Sequence, residues 1–182
     1  MFEKEKQIQL SRSDFSKKGS VDSKIKALVG RINSKKEYYT TSSCSGRIII
    51  LAEGKTRKDV KWIFVSHSNA KLSEIKKAIR KIPKKTIWLK FEPMILHACC
   101  DSLDSAQRIV NLAKQSGFKH SGIMSSGKRI LAEIRGTDFI SAPIAFNGKI
   151  SVDDNCLKKI LAEASKKMKI NEIKIKKFMA CF

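Results

Sequence analysis

Small hydroxyl side chains are concentrated in one short stretch of this sequence, YYTTSSCSGR at positions 38–47. Because most of these side chains are small, the backbone N–H groups stay accessible, and Arg47 adds a rigid fork of donors. Such a combination is suited to an anion, either a carboxylate or a phosphate. A solvated loop whose hydroxyls bond their own backbone is the alternative reading, and it stays open.

The elements on either side of this stretch would position it. Before it, apolar residues recur at helical spacing and predict a helix over 21–34, with Ser20 as its cap and Asp22 in its first turn. After it, the apolar run at 47–52 predicts a buried strand that begins at Arg47. The stretch is therefore predicted to be a loop between a helix and a strand.

Hydrophobic periodicity along the rest of the chain predicts helices and paired strands without strict strand–helix–strand alternation. The predicted strands are 47–52, 61–67, 86–91, 94–100, 121–127, 129–136 and 139–146. The predicted helices are 21–34, 71–82, 104–115 and 151–173, with an N-terminal arm or helix at 1–16 and a C-terminal tail at 174–182.

This order of elements favours an α+β fold. We expect a single domain over residues 1–182, with a mixed, largely antiparallel sheet packed by helices. A doubly wound Rossmann-type fold is not expected, because the chain has no G-x-G-x-x-G turn and only nine glycines.

The charge composition indicates a polyanionic partner. Lys and Arg number 38 against 17 Asp and Glu, which leaves a net charge of +21. Such an excess favours nucleic-acid binding over a merely lysine-rich solvated surface. No apolar run is long enough for a transmembrane helix, the N-terminus lacks a secretory signal, and the five cysteines lack framework spacing, so we expect a cytoplasmic protein.

Few titratable residues stand out as candidates for catalysis. The three histidines are isolated and neither C-x-x-C nor H-E-x-x-H occurs, so no metal site is predicted. His97 lies in an almost wholly apolar strand and can titrate near neutral pH, while Glu92 lies at a strand boundary. His67 ends a strand and is interpreted as satisfied by a neighbouring backbone group.

Several blocks of the sequence resemble the tRNA wybutosine-synthesizing protein 3 family. The blocks are SKKGSVDSKI, LVGRINS, YYTTSSCSGRI, WIFVSHS (62–68), LKFEPMILHACC (89–100), GFKHSGIM (117–124) and RILAEIRGTD (129–138). The resemblance implies a methyltransferase that uses S-adenosylmethionine. Its substrate would be ring nitrogen N4 of the tricyclic wyosine-type guanine beside the anticodon of tRNA(Phe).

The resemblance also implies roles for individual residues. A ring N–H must lose its proton when it is methylated, and the candidate bases are Asp22 first, then His97 and Glu92. The expected cofactor-binding residues are Ser42, Ser43, Cys44, Ser45, Gly46, Arg47, Ser121 and Gly122. The expected tRNA-binding residues are Lys17, Lys18, Ser20, Tyr38, Tyr39, Thr41, Arg129 and Arg135.

Two other classes of function remain open at this point. One is a non-catalytic, basic RNA-binding module, and the other is a subunit of a tRNA-modification complex. A monomer is the expected state. Either Tyr38 or Tyr39 could stack on the base, and the alternative is that one of them packs in the core while the other is exposed.

Overall fold

The computed structural model describes residues 1–11 and 21–182, which form five α-helices and nine β-strands. The helices are α1 (Phe2–Ser11), α2 (Ser23–Ser34), α3 (Leu72–Ala78), α4 (Leu103–Gln115) and α5 (Asp154–Met179). The strands are β1 (Tyr38–Cys44), β2 (Arg47–Ala52), β3 (Lys61–Ser66), β4 (Ile87–Glu92), β5 (Ile95–Cys100), β6 (Gly122–Ser126), β7 (Ile130–Arg135), β8 (Ile140–Phe146) and β9 (Lys149–Ile150). A 3₁₀ turn at Arg57–Asp59 lies between β2 and β3.

The chain divides into two compact units, each built around its own sheet. Unit 1 comprises Met1–Ser45, Met94–Thr137 and Asn171–Phe182, and unit 2 comprises Gly46–Pro93 and Asp138–Ile170. The α+β class is confirmed, but the strands form two sheets where the sequence predicts one, and every strand pair is antiparallel. The single domain over 1–182 stays a prediction.

Unit 1 contains a four-stranded sheet in the order β1-β5-β7-β6. Alternate residues of β5 and β7, such as Leu96, Ala98 and Ile134, point to one face and join a core with α2 and α4. The apolar stripe predicted for the first helix is buried as expected, with Ile25 and Ile32 fully inaccessible. The other face of this sheet carries the polar residues described below.

Both ends of α4 are capped in ways that are common for helices. The Ser102 hydroxyl accepts a hydrogen bond from the Ser105 N–H at the start of the helix. Gly117 follows the end of the helix with a φ of 100°, a left-handed conformation that favours glycine.

Unit 2 contains a five-stranded sheet in the order β3-β2-β4-β8-β9. β2 and β3 pair as an antiparallel hairpin, and Pro143 lies at a register shift in β8, a position where a sheet tolerates proline. The core face carries Ile50 and Leu89 and packs against α3 and the first part of α5.

The last helix is longer than the sequence prediction. The predicted C-terminal tail is helical as far as Met179. Its buried positions continue the three-and-four spacing of the preceding turns through Asn171, Ile175 and Phe178, which explains why the helix does not end at 173. Among the described residues, no helix combines the length and hydropathy needed to cross a membrane.

Candidate functional site

The hydroxyl-rich stretch is a strand, so the loop prediction is wrong for residues 38–44. β1 pairs antiparallel with β5 and changes register between Thr40 and Ser42. Small polar residues are common in loops, yet here they lie along the edge of the sheet in unit 1, where one face is accessible to solvent. Successive side chains of a strand alternate between its two faces, so the hydroxyls of β1 do not all lie on the same face.

Three polar side chains form a connected row on the outer face of this sheet. Ser42 lies opposite His97, and His97 lies opposite Glu133 in the strand register. Ser42 Oγ is 2.7 Å from His97 Nδ1, and His97 Nε2 is 3.0 Å from Glu133 Oε2. The side chains of His97 and Glu133 are 25% and 16% exposed, whereas Ser42 is exposed. This row is called the Ser–His–Glu row.

The hydrogen bonds in the row assign the proton positions of a neutral imidazole. A carboxylate only accepts hydrogen bonds, so Nε2 of His97 donates to Glu133. Nδ1 is then the basic nitrogen, and it accepts the hydroxyl proton of Ser42. This arrangement can take a proton at Ser42 or at Nδ1, and the Glu133 carboxylate stabilises the imidazolium that forms.

Asp22 belongs to a buried network in unit 1. Its Oδ2 accepts hydrogen bonds from the backbone N–H and the hydroxyl of Ser45, at 2.9 and 3.2 Å. Asn171 donates to the Ser45 carbonyl at 2.8 Å and accepts from the Met94 N–H at 2.8 Å. Asp22, Ser45 and Asn171 are 7%, 3% and 1% exposed. This network ties three distant chain segments together, which gives Asp22 a structural role.

In unit 2, Arg47 and Glu92 form an ion pair. The Arg47 Nε and Nη2 atoms donate to Glu92 Oε2 at 2.9 and 2.8 Å, and the guanidinium lies 4.5 Å from the centre of the Trp62 ring. Also in unit 2, His67 contacts the Gly46 carbonyl through Nδ1 at 3.2 Å, which confirms its interpretation as a backbone-satisfied histidine.

Both candidate stacking tyrosines are buried. Tyr38 donates to the Ser105 carbonyl at 3.1 Å, and Tyr39 donates to Glu5 Oε2 at 3.2 Å beside the Phe2 ring. Burial raises the pKa of Tyr38 to about 12 and raises the pKa of Tyr39 as well. Neither ring presents a free face for a base, unlike the predicted arrangement in which one tyrosine is exposed.

The remaining predicted residues of unit 1 are dispersed. The Thr41 hydroxyl lies 3.5 Å from the His97 carbonyl, and Arg129 pairs with Glu5 at 3.1 Å. Ser43 and Cys44 are half-buried at the end of β1, and Arg135 is exposed at the end of β7. The predicted residues Lys17, Lys18 and Ser20, with the Ser20 cap, lie outside the described residues.

Three of the predicted cofactor residues hydrogen-bond to other groups of the protein, and the cofactor assignment as a whole stays a prediction. The Ser45 N–H is bonded to Asp22, the Ser121 hydroxyl donates to the Phe118 carbonyl at 2.7 Å, and Arg47 is paired with Glu92. Beside α1, unit 1 has a cavity of about 170 Å³ lined in part by Phe2, Tyr39 and Cys99. Small-molecule sites are usually about 300–1,000 Å³, so this cavity is too small to enclose a whole S-adenosylmethionine molecule.

Sequence reasoning missed Glu133, Asn171 and Trp62 as candidates. The alternation of β7 indicates that Glu133 shares a face with Arg135, but only the strand register shows that this face meets His97. Asn171 is a single polar residue in the buried stripe of α5, a signal that could have marked it. Open space beside Gly122, which lies opposite Glu133, keeps the end of the Ser–His–Glu row accessible.

Comparison with known proteins identifies one family. The model of the family described as Methyltransferase TYW3 matches residues 3–182. The human tRNA wybutosine-synthesizing protein 3 homolog is 36% identical over 99% of this chain and 71% of its own length. A Thermococcus sibiricus protein named tRNA(Phe) 7-((3-amino-3-carboxypropyl)-4-demethylwyosine(37)-N(4))-methyltransferase is 36% identical over 92% of this chain and 86% of its own length.

A solved structure has the same fold. The PH1069 protein from Pyrococcus horikoshii superposes with a TM-score of 0.89 at 34% sequence identity, covering 99% of this chain and 93% of that one.

Proposed function

This chain belongs to the methyltransferase TYW3 family, and on that basis we propose that it methylates N4 of the demethylated wyosine-type base in tRNA(Phe). The observation that carries the proposal is the family match over residues 3–182, together with relatives whose names state this reaction. The net charge of +21 supports a polyanionic substrate such as tRNA.

The proposed methyl donor is S-adenosylmethionine, the usual donor for methyltransferases. Support for it comes from the family, since three of the predicted cofactor residues, Ser45, Arg47 and Ser121, hydrogen-bond within the protein.

We propose that the Ser–His–Glu row removes the proton from the ring nitrogen. In this scheme Ser42 accepts the substrate proton while its own hydroxyl proton moves to Nδ1 of His97. His97 then carries a positive charge that Glu133 balances through Nε2, at a distance of 3.0 Å. His97 is a better base than Asp22, because Asp22 is buried with two hydrogen bonds to Ser45. General-base catalysis of this kind contributes about 10²–10⁴-fold to a rate.

The test is incubation of the protein with S-adenosylmethionine and tRNA(Phe) that carries the demethylated tricycle, followed by mass analysis of the digested nucleosides. We expect one added methyl group on the tricycle and none on other nucleosides. Salt-sensitive tRNA binding without any methyl gain would contradict the proposal and favour the non-catalytic RNA-binding module.

A further inference from the structure

Both tryptophans of the chain lie on the outer face of the unit 2 sheet. In the strand register, Trp62 of β3 is opposite Leu51 of β2, and Leu51 is opposite Trp88 of β4. Side chains of directly paired residues share a face, so these three residues form one row across three strands. Trp62 is 41% exposed, so its indole forgoes much of the free energy that burial of this large apolar ring would contribute.

Each of these indoles is paired with a cation. The guanidinium carbon of Arg47 lies 4.5 Å from the Trp62 ring centre, and Nζ of Lys90 lies 5.5 Å from the Trp88 ring centre. Both distances are within the range of a cation–π interaction. Glu92 holds Arg47 from the side through Oε2, which fixes the guanidinium against the indole. Each cation lies over one face of its indole, so a base would stack on the opposite face, with positive charge close by.

More positive charge lies where this row meets the turn between β2 and β3. The lysines of the turn and of the start of β3, Lys55, Lys58 and Lys61, are exposed. Lys85 reaches the same turn, with Nζ 3.5 Å from the Asp59 carbonyl. The turn also contains two acidic residues, Glu53 and Asp59, and the Asp59 carboxylate is held by the N–H and hydroxyl of Thr56.

Aromatic surfaces flanked by lysines and arginine match unpaired RNA. Bases that are not in a helix stack on aromatic side chains, while nearby Lys and Arg side chains contact the phosphates. The two indoles are two strands apart, roughly 10 Å, so they suit two separate bases rather than one. Duplex RNA has no free base faces, so only its phosphates would contact this surface, through the lysine side chains.

We propose that this face, defined by Trp62, Trp88, Arg47, Lys90 and the exposed lysines of the β2–β3 turn, binds unpaired nucleotides of the tRNA substrate. The proposal rests on the proposed function for the identity of the RNA. It adds a binding surface in unit 2, whereas the Ser–His–Glu row belongs to unit 1. The complementarity of charge, and the exposure of an indole held by a cation, favour RNA over a protein partner.

Intrinsic fluorescence offers a direct test, because the chain has only two tryptophans and both lie on this face. The probes are an RNA hairpin with the anticodon loop of tRNA(Phe) and a fully paired RNA duplex of equal length. We expect the hairpin to quench the tryptophan fluorescence of the unaltered protein more strongly than the duplex. Hairpin binding without a fluorescence change would overturn the proposal.

A matched pair of substitutions at Trp62 provides the second readout. Trp62→Ala removes the stacking surface, and we expect it to weaken hairpin binding about 5- to 150-fold while duplex binding stays unchanged. Trp62→Phe retains an aromatic face and should bind nearly as tightly as the unaltered protein. Equal hairpin affinity for all three proteins would overturn the proposal and leave the face to another class of partner, such as a protein.

The fluorescence and binding measurements require no methyl transfer, so the proposed function and the proposed RNA-binding face can each be contradicted without the other. Absence of methylation by the unaltered protein would contradict the proposed function and leave the RNA face intact. Methylation together with hairpin affinity that is unchanged by substitution of Trp62 would contradict only the proposed RNA-binding face. Unfolding curves for Trp62→Ala and Trp62→Phe check that each variant is folded before binding is compared.

Discussion

Replacing Glu133 with Gln tests the Ser–His–Glu row most sharply. The substitution keeps the size of the side chain and removes the negative charge 3.0 Å from Nε2 of His97. A Gln amide can also donate to Nε2, which would place the imidazole proton on Nδ1 and end its ability to accept from Ser42. Both effects act on the imidazolium formed during proton removal, so we expect a fall in kcat with little change in KM.

The magnitude follows from the loss of one charge-assisted hydrogen bond. Both side chains are largely shielded from water, at 25% and 16% exposure, so solvent screening is limited. A hydrogen bond to a charged group is worth about 1.5–3 kcal/mol, which corresponds to roughly a 10- to 150-fold slower chemical step. The assay is the single-turnover rate of methyl transfer, with donor and tRNA both saturating.

Two further variants separate catalysis from structure. Glu163→Gln removes a surface carboxylate that pairs with Lys166 and Lys167, and it serves as a control with an unchanged rate. In a double-mutant cycle, Glu133→Gln should have little additional effect once His97→Gln is present, because the two residues act as a unit. Rates equal to that of the unaltered protein for Glu133→Gln, or fully additive effects with His97→Gln, would refute the reasoning.

The other predictions concern stability. Asn171→Ala should lower the free energy of unfolding by about 2–5 kcal/mol, because it leaves the buried Ser45 carbonyl and the buried Met94 N–H without partners. The control Asn111→Ala, at an exposed position, should change this free energy little. Urea unfolding measures both variants. In the same assay, Asp22→Asn should lower the free energy of unfolding by about 1–3 kcal/mol, while turnover per folded molecule is retained. Lost turnover at unchanged stability would instead identify Asp22 as the base. Burial raises the pKa of Tyr38 from 10.0 to about 12, so its contribution to stability is complete below pH 10 and is lost as the pH rises through 12. Tyr38→Phe should flatten that alkaline decline, and an equally steep decline in the variant would contradict this assignment.

Hydrophobic periodicity was enough to predict most elements of the fold. The stripe Ile25, Leu28, Val29 and Ile32 and the apolar runs of β2 and β5 place their helix and strands correctly, because burial dictates those patterns. β1 was missed since its Thr and Ser side chains lack the apolar alternation of a strand. Its strand conformation depends on pairing with β5, which lies about 50 residues away in the chain.

The site was less predictable than the fold, because its contacts also depend on pairing between strands that are distant in the sequence. His97 and Glu92 could be selected as titratable groups at strand positions, but their partners depend on the register between distant strands. Register places Glu133 beside His97 and Arg47 beside Glu92, and no local signal in the sequence fixes either pairing. The burial of Tyr39 likewise depends on packing against α1, which its own surroundings in the sequence do not reveal.

Methyl incorporation into two matched tRNAs tests the central claim most directly. One is tRNA(Phe) with the demethylated tricycle beside the anticodon, and the other is the same tRNA with unmodified guanosine at that position. With S-adenosylmethionine present, we predict that nucleoside mass analysis finds one new methyl group on the tricycle and no methyl on the unmodified tRNA. Methylation of both tRNAs, or of neither, would contradict the account.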